Sequence, residues 1–308
     1  MSYPAMRKRL AAGETVILDG AIGTEILRRH VTWADHQLAS RPEFVRGIHE
    51  DYIRAGADVI STNSFQLCRR ALYNHFRDEA HRRQIGATDL DDRADKLLAA
   101  SVRLALEARS RVAVGRPVAV AAAITTLEWC FRPDLAPAPE QAKREYKEVF
   151  QVVKDAGADL VLLETLNSIA EARAALEVAK SLGLPCWTSF VCDERGRLFT
   201  GETMAEMVAA REPVGVDAIL LNCAPPGDIN AGIKELLPQA HVATGAYPHI
   251  GRFDPPEWMF TDEYPPARYA QIASTWKQMG ARILGGCCGT TPDHIAALAG
   301  LRHETGRA

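Results

Sequence analysis

The chain has 308 residues, 47% of them hydrophobic, and carries a net charge of −3 at neutral pH, which suffices for a large core near the upper size limit for one domain. The near-neutral balance excludes a basic stripe for nucleic acid, and no apolar run approaches the roughly 18 residues that cross a bilayer. The start lacks the charged and apolar segments of a signal peptide, and seven cysteines without a framework-like spacing fit a reducing compartment, so the expectation is a cytoplasmic protein.

In chain order, the first predicted strand is Thr15 to Leu18, and it ends in Asp19-Gly20-Ala21-Ile22-Gly23-Thr24. An aspartate at a strand end followed by glycines offers one ligand both a carboxylate and several backbone N–H groups, which suit an anion. Ser40-Arg41-Pro42-Glu43 reads as a capping box with proline in the first turn, and predicts a helix to about Ala55. The cationic stretch from Arg69 to Arg83 reads as a solvated helical face.

A repeat then emerges. Gly56-Ala57-Asp58, Gly157-Ala158-Asp159, Gly215-Val216-Asp217 and Gly280-Ala281-Arg282 each end a helical segment and open an apolar strand. Seven residues beyond these glycines stand Asn63, Glu164, Asn222 and Cys287, and one further on stand Ser64, Thr165, Cys223 and Cys288. Strands at 117–124, 185–191 and 241–247 complete a set of eight. Helices are predicted over 88–109, 139–156, 168–182, 203–211, 228–236, 265–279 and 292–300, with capping boxes at Ser168 to Glu171 and Thr203 to Glu206. Continuously apolar strands alternating with helices predict a closed parallel sheet wrapped in helices, a (β/α)8 TIM barrel built as a single domain over 1–308. A doubly wound open sheet is the runner-up, and no Gly-rich dinucleotide turn follows the first strand.

In a barrel the chemistry sits at the C-terminal ends of the strands. Asp19, Thr62, Ser64, Glu164, Asn222, Cys223, Tyr247, Cys287 and Cys288 all fall there. Gly285-Gly286-Cys287-Cys288-Gly289 puts two thiols among glycines that a core position would not need, and Cys223 closes another apolar run in the same way. A disulfide between adjacent cysteines is strained, so metal binding is the leading reading and a redox pair the second. Three thiolates with one open position describe a catalytic Zn2+ centre. Cys68, Cys130, Cys186 and Cys192 read as packing residues.

Leu18-Asp19-Gly20-Ala21-Ile22-Gly23-Thr24-Glu25, Thr62-Asn63-Ser64-Phe65, Leu163-Glu164-Thr165, Asn222-Cys223 and Gly285-Gly286-Cys287-Cys288-Gly289-Thr290 together resemble the homocysteine S-methyltransferase family over nearly the whole chain. The resemblance implies a zinc-dependent barrel in which Cys223, Cys287 and Cys288 hold the metal and the thiol of homocysteine takes the fourth place. It implies that Asp19 and Glu164 hold the substrate ammonium, that the backbone at Gly20 and Ala21 takes its carboxylate, and that Thr62, Ser64 and Asn222 support them. The methyl donor is expected to be a small onium compound, with S-methylmethionine leading and betaine or another sulfonium as the alternative. Aromatic faces meet such cations, and Trp33, Phe65, Trp129, Tyr247 and Trp258 are the candidates, with His249 nearby and Trp187 assigned to the core.

Two stretches depart from the family pattern. Tyr247-Pro248-His249-Ile250-Gly251 stands where Tyr-Pro-Asn is usual, and Ala123-Ile124-Thr125-Thr126-Leu127-Glu128-Trp129-Cys130 stands where a glycine-rich turn commonly ends strand three. Both lie on donor-side loops. The rival reading from another class is a zinc store or thiol switch on a barrel without turnover, against which Asp19 and Glu164 speak.

Overall fold

The computed structural model describes residues 2–31, 35–84, 86–254 and 257–303. The strands are β1 (Val16–Ile17), β2 (Val59–Ser61), β3 (Ala119–Ile124), β4 (Leu160–Leu166), β5 (Cys186–Phe190), β6 (Ala218–Asn222), β7 (Ala243–Tyr247), β8 (Arg252–Asp254), β9 (Glu257–Met259) and β10 (Ile283–Leu284). The helices are α1 (Ser2–Ala11), α2 (Ile22–Arg28), α3 (Pro42–Ala55), α4 (Arg69–His75), α5 (Glu79–Gln84), α6 (Leu90–Val112), α7 (Pro139–Asp155), α8 (Ile169–Ser181), α9 (Met204–Arg211), α10 (Pro226–Leu236), α11 (Pro266–Met279) and α12 (Pro292–Gly300). Eight strands form one parallel sheet in the order β1-β10-β7-β6-β5-β4-β3-β2. A parallel bridge from Leu18 to Val59 joins its two ends. The sheet is therefore the closed (β/α)8 barrel that the alternation predicts, and β8 with β9 form a separate antiparallel hairpin.

The strands read as unbroken apolar runs because both faces are packed. One set, including Val16, Val59, Leu162, Leu220 and Ile283, fills the barrel interior, while Ile17, Ile60, Val161, Leu163 and Ile219 pack outward against the helices. Among these interior positions Ala119, Ala121 and Ala218 leave room for Trp187, which is fully buried as expected. The indole N–H of Trp187 donates to the Tyr3 hydroxyl at 3.2 Å. Tyr3 and Met6 are the two buried side chains of α1, which packs against the interior cluster. With so few buried positions α1 has no apolar stripe, and its sequence announces no helix.

The aspartates of the repeat have a structural task at the opposite end of the barrel from the site. Asp58 accepts the N–H of Ile17 at 2.9 Å, Asp159 that of Val120 at 2.8 Å, and Asp217 that of Cys186 at 3.0 Å. Each carboxylate, one residue before its own strand, thus pairs with a backbone N–H of the neighbouring strand. One sequence expectation is corrected here. Arg41, not Ser40, is the N-cap of α3 and makes no side-chain cap, because the Ser40 hydroxyl donates to Gln37 instead. The Thr203–Glu206 capping box forms as predicted. At Ser168 the hydroxyl caps α8, but the Glu171 carboxylate turns away to accept from Leu127 N and Tyr146 Oη. Among the described residues no helix is long and apolar enough to cross a membrane.

Candidate active site

The thiols of Cys223, Cys287 and Cys288 lie within 4.8 Å of one another, and each cysteine is half-buried. Cys223 directly follows β6, and Cys287 and Cys288 follow β10 after two glycines. Cys223 holds φ at 52°, a left-handed backbone that a non-glycine residue adopts at a cost and that concentrates at functional sites. The glycines of the second segment are needed for close approach. At Gly289 φ is 85° and a Cβ would collide with the carbonyl oxygen of Ile250, while at Gly286 it would collide with Thr290. The same loop is tied to the segment after β7, since Ile250 N donates to Cys288 O at 2.8 Å and Cys287 N to Pro248 O at 3.0 Å.

The three sulfurs are electrostatically one unit. The neighbouring thiols of Cys223 and Cys287 hold Cys288 well below the ordinary thiol value. The proximity of Cys287 and of Cys288, together with burial, pushes Cys223 up, and Cys287, although Cys223 lowers it, is pushed up to about 12 by Cys288 and by burial. Without a cation the cluster resists carrying more than one negative charge, which is the condition a bound dication relieves. Zinc bonds to thiolate sulfur at about 2.3 Å, so sulfur neighbours on a tetrahedron stand about 3.8 Å apart. The spacing and accessibility of the cluster fit that ion with a position left open. All seven cysteines are free thiols; Cys130, Cys186 and Cys192 are buried, the last two in the apolar core.

Two carboxyls belong to the same end of the barrel. Asp19 is buried and accepts from Ser61 N at 2.8 Å and Ser61 Oγ at 2.9 Å. Burial raises its pKa well above the usual carboxylate range, and the charge of Glu164 adds to the rise. Glu164 is pushed up to about 8 by burial and then by Cys287. Its neighbour Thr165 has φ 59°, and the register of β4 against β5 shifts between Leu163 and Leu166. This irregularity re-aims the strand end, as bulges beside active sites do. Nothing in the residue types at 164 and 165 announces it.

Other predicted residues are brought to the same level with partners of their own. Thr62 and Ser64 share a hydrogen bond at 2.6 Å, with Ser64 Oγ donating to Ala123 O at 2.7 Å and Ala123 N to Thr62 Oγ1 at 3.0 Å. Asn222 accepts from Thr165 N at 3.0 Å and Ser189 Oγ at 2.7 Å, and donates to Thr165 Oγ1 at 3.0 Å. Tyr247 is buried at the end of β7, and its hydroxyl has no well-formed hydrogen bond among the described residues. It lies beside Glu164 and Ser189. Gly20 is buried and Ala21 half-buried at the start of α2. Of the loop aromatics, Phe65 is half-buried, Trp129 is 58% exposed, and His249 meets Trp258 edge-on at 5.7 Å. Trp33 lies outside the described residues.

Fold and site together define a class, a parallel barrel that collects three thiols and two strained-environment carboxyls at the C-terminal ends of its strands. The sequence profile described as homocysteine S-methyltransferase matches residues 16–301, and the chain belongs to that family. The chain is 28% identical to homocysteine S-methyltransferase 3 of Zea mays, with 94% of this chain and 90% of the relative covered. It is equally 28% identical to a selenocysteine Se-methyltransferase of Brassica oleracea var. italica, over 93% of this chain and 88% of the relative. Among solved structures, the metallated form of the homocysteine methyltransferase MmuM from Escherichia coli superposes with a TM-score of 0.79 at 27% identity, covering 96% of this chain and 99% of that one. The protein is thus a methyltransferase of this family.

Proposed function

We propose that the protein transfers a methyl group from a small onium donor, with S-methylmethionine as lead, to homocysteine, and that Cys223, Cys287 and Cys288 hold Zn2+ for the purpose. The observation that carries this reading is the convergence of three thiols within 4.8 Å at the strand ends that also carry the buried carboxyls Asp19 and Glu164. The metallated state of the Escherichia coli relative supports it. Zinc held by these cysteines would keep the substrate thiol deprotonated at neutral pH, where a free thiol is mostly protonated. Burial raises the proton affinity of both carboxyls, and the charge of Glu164 adds to the rise at Asp19; a substrate ammonium beside them would relieve that cost by favouring the charged forms. The backbone N–H groups at Gly20 and Ala21 suit the substrate carboxylate. Thr62, Ser64 and Asn222 hold the strand ends that carry these groups.

The reaction forms a carbon–sulfur bond to homocysteine and breaks the methyl bond of the onium centre, whose leaving group departs neutral. Once the thiol is deprotonated no general base is needed. The chain contributes alignment, worth several kcal/mol when both reactants are held near attack distance. Phe65, Trp129, Tyr247 and His249 are the donor-side residues in this reading, with Trp33 as a further candidate. The test offers zinc-loaded protein homocysteine together with S-methylmethionine, S-adenosylmethionine, glycine betaine and dimethylsulfoniopropionate in parallel arms, and repeats each arm with selenocysteine as acceptor. Methionine formed from S-methylmethionine and lost on chelation is the expected result. Turnover with betaine alone moves the donor to the quaternary ammonium class, and preference for the selenol moves the acceptor.

A further inference from the structure

The turn after β3 departs from the glycine-rich pattern, and its residues are held from two sides. Glu128 is the centre of the grip. Arg70 Nη1 donates to its Oε1 at 2.9 Å and Asn74 Nδ2 to its Oε2 at 2.7 Å, both from α4. Its carbonyl accepts from Gln66 Nε2 at 2.7 Å and Thr126 Oγ1 at 2.8 Å. Arg70 cannot swing freely, because Glu145 of α7 takes its Nε at 2.7 Å and its Nη2 at 2.5 Å. On the far side, Asn167 beyond β4 donates to Cys130 O. Cys130 is 1% exposed and within electrostatic reach of Cys287 and Glu164. Between these two anchored residues stands Trp129, whose ring is 58% exposed and plays no part in the core.

Trp129 stands outward between these anchored residues, as Phe131 does two residues on, and the hydrogen bonds to Glu128 and Cys130 hold the backbone from which its ring projects. We propose that Glu128, clamped by Arg70, Asn74 and Gln66, is a positioning residue that holds Trp129 as a fixed aromatic wall for the cationic methyl donor, so that the clamp sets donor affinity and leaves homocysteine affinity untouched. The proposal rests on the reading of an onium donor given above. A preorganised aromatic face binds a cation without the ordering cost that a mobile one incurs. Arg70 and Asn74 bond this turn through the Glu128 carboxylate.

The experiment uses the zinc-loaded full chain as wild type, Glu128→Ala, Glu128→Gln, Asn74→Ala, Trp129→Ala and the Glu128→Ala/Trp129→Ala double variant. Glu128→Ala is expected to raise the donor KM about three- to thirtyfold, the range one aromatic–cation contact spans, while the homocysteine KM moves by less than about twofold. Glu128→Gln, whose single amide oxygen can accept from one of Arg70 and Asn74 while its NH2 faces the other donor, should recover only part of the loss. The double variant should be no worse than Trp129→Ala alone, since one effect acts through the other. Acrylamide quenching of the Trp129 emission, taken as the difference from Trp129→Ala, should increase in Glu128→Ala and in Asn74→Ala. Additive effects, an equal rise in both KM values, or unchanged quenching would each overturn the clamp. If wild type turns over no onium donor, the donor reading fails, and the quenching comparison still decides whether Glu128 fixes Trp129.

Discussion

Replacing Gly289 by alanine tests how the thiol loop is built. The residue has φ 85°, and an L side chain in that region costs roughly 1–2 kcal/mol. The new Cβ would also meet the Ile250 carbonyl, which is backbone and cannot rotate aside. Relief requires moving Ile250, whose N–H bond to Cys288 O at 2.8 Å is worth about 1 kcal/mol. The sum is about 2–3 kcal/mol, spent within one residue of Cys288. Displaced support of a metal ligand typically lowers metal affinity about 10–100-fold. Two alanine controls separate the contributions. Gly183 has φ 69° with open space around it, so Gly183→Ala should cost only about 1 kcal/mol. Gly227 lies in α10 with open space and no positive φ, so Gly227→Ala should be neutral or stabilise slightly. Urea midpoints and zinc competition against a chromophoric chelator provide the readouts. A Gly289→Ala protein no less stable than Gly183→Ala, with wild-type zinc affinity, would refute the steric argument.

Further outcomes follow from buried titratable groups. Asp19→Asn keeps the shape and removes the charge, and should raise the homocysteine KM at least tenfold, the value of a hydrogen bond to a charged partner of about 1.5 kcal/mol or more; an unchanged KM would take Asp19 out of the ammonium site. His49 on α3 is fully buried, with neither ring nitrogen hydrogen-bonded among the described residues, and burial lowers its pKa from the ordinary 6.5 to about 4. Because the folded state binds this proton more weakly than the unfolded chain, the neutral ring's stability is complete above about pH 6.5 and declines towards pH 4, by at most about 3 kcal/mol. Urea unfolding of His49→Leu between pH 7 and 4.5 should therefore show a flatter pH dependence than wild type, and parallel curves would show that His49 does not titrate on unfolding.

The barrel was legible because the four Gly-containing repeats mark the same step of the fold, with the glycine ending a helix and, in three of the four, an aspartate pairing with the neighbouring strand. That second role depends on a neighbour distant in sequence, so residue order alone shows the repeat without its purpose. The thiol centre was legible for a different reason. Two cysteines between glycines, and a third at another strand end, have few structural uses, and their convergence within 4.8 Å needs only the barrel to bring the strand ends together. What sequence could not express is conformation. The positive φ of Thr165 and Cys223 belongs to residue types that rarely adopt it. The internal partners of Thr62, Ser64 and Asn222 depend on side-chain directions across strands. Ser40 matched a capping pattern yet bonded Gln37, since a local motif competes with every other acceptor the fold brings near. The grip on Glu128 joins α4 to the β3 turn and has no local signature at all.

The central claim is that Cys223, Cys287 and Cys288 form a zinc centre required for methylating homocysteine. The most direct measurement pairs zinc content with methionine formation for wild type, chelator-stripped wild type and each single Cys→Ser variant, followed by zinc re-addition. The account predicts one zinc per wild-type chain, loss of metal and turnover together on stripping or in any of the three variants, and recovery on re-addition in wild type alone. Undiminished methionine formation by stripped protein or by Cys288→Ser would contradict it.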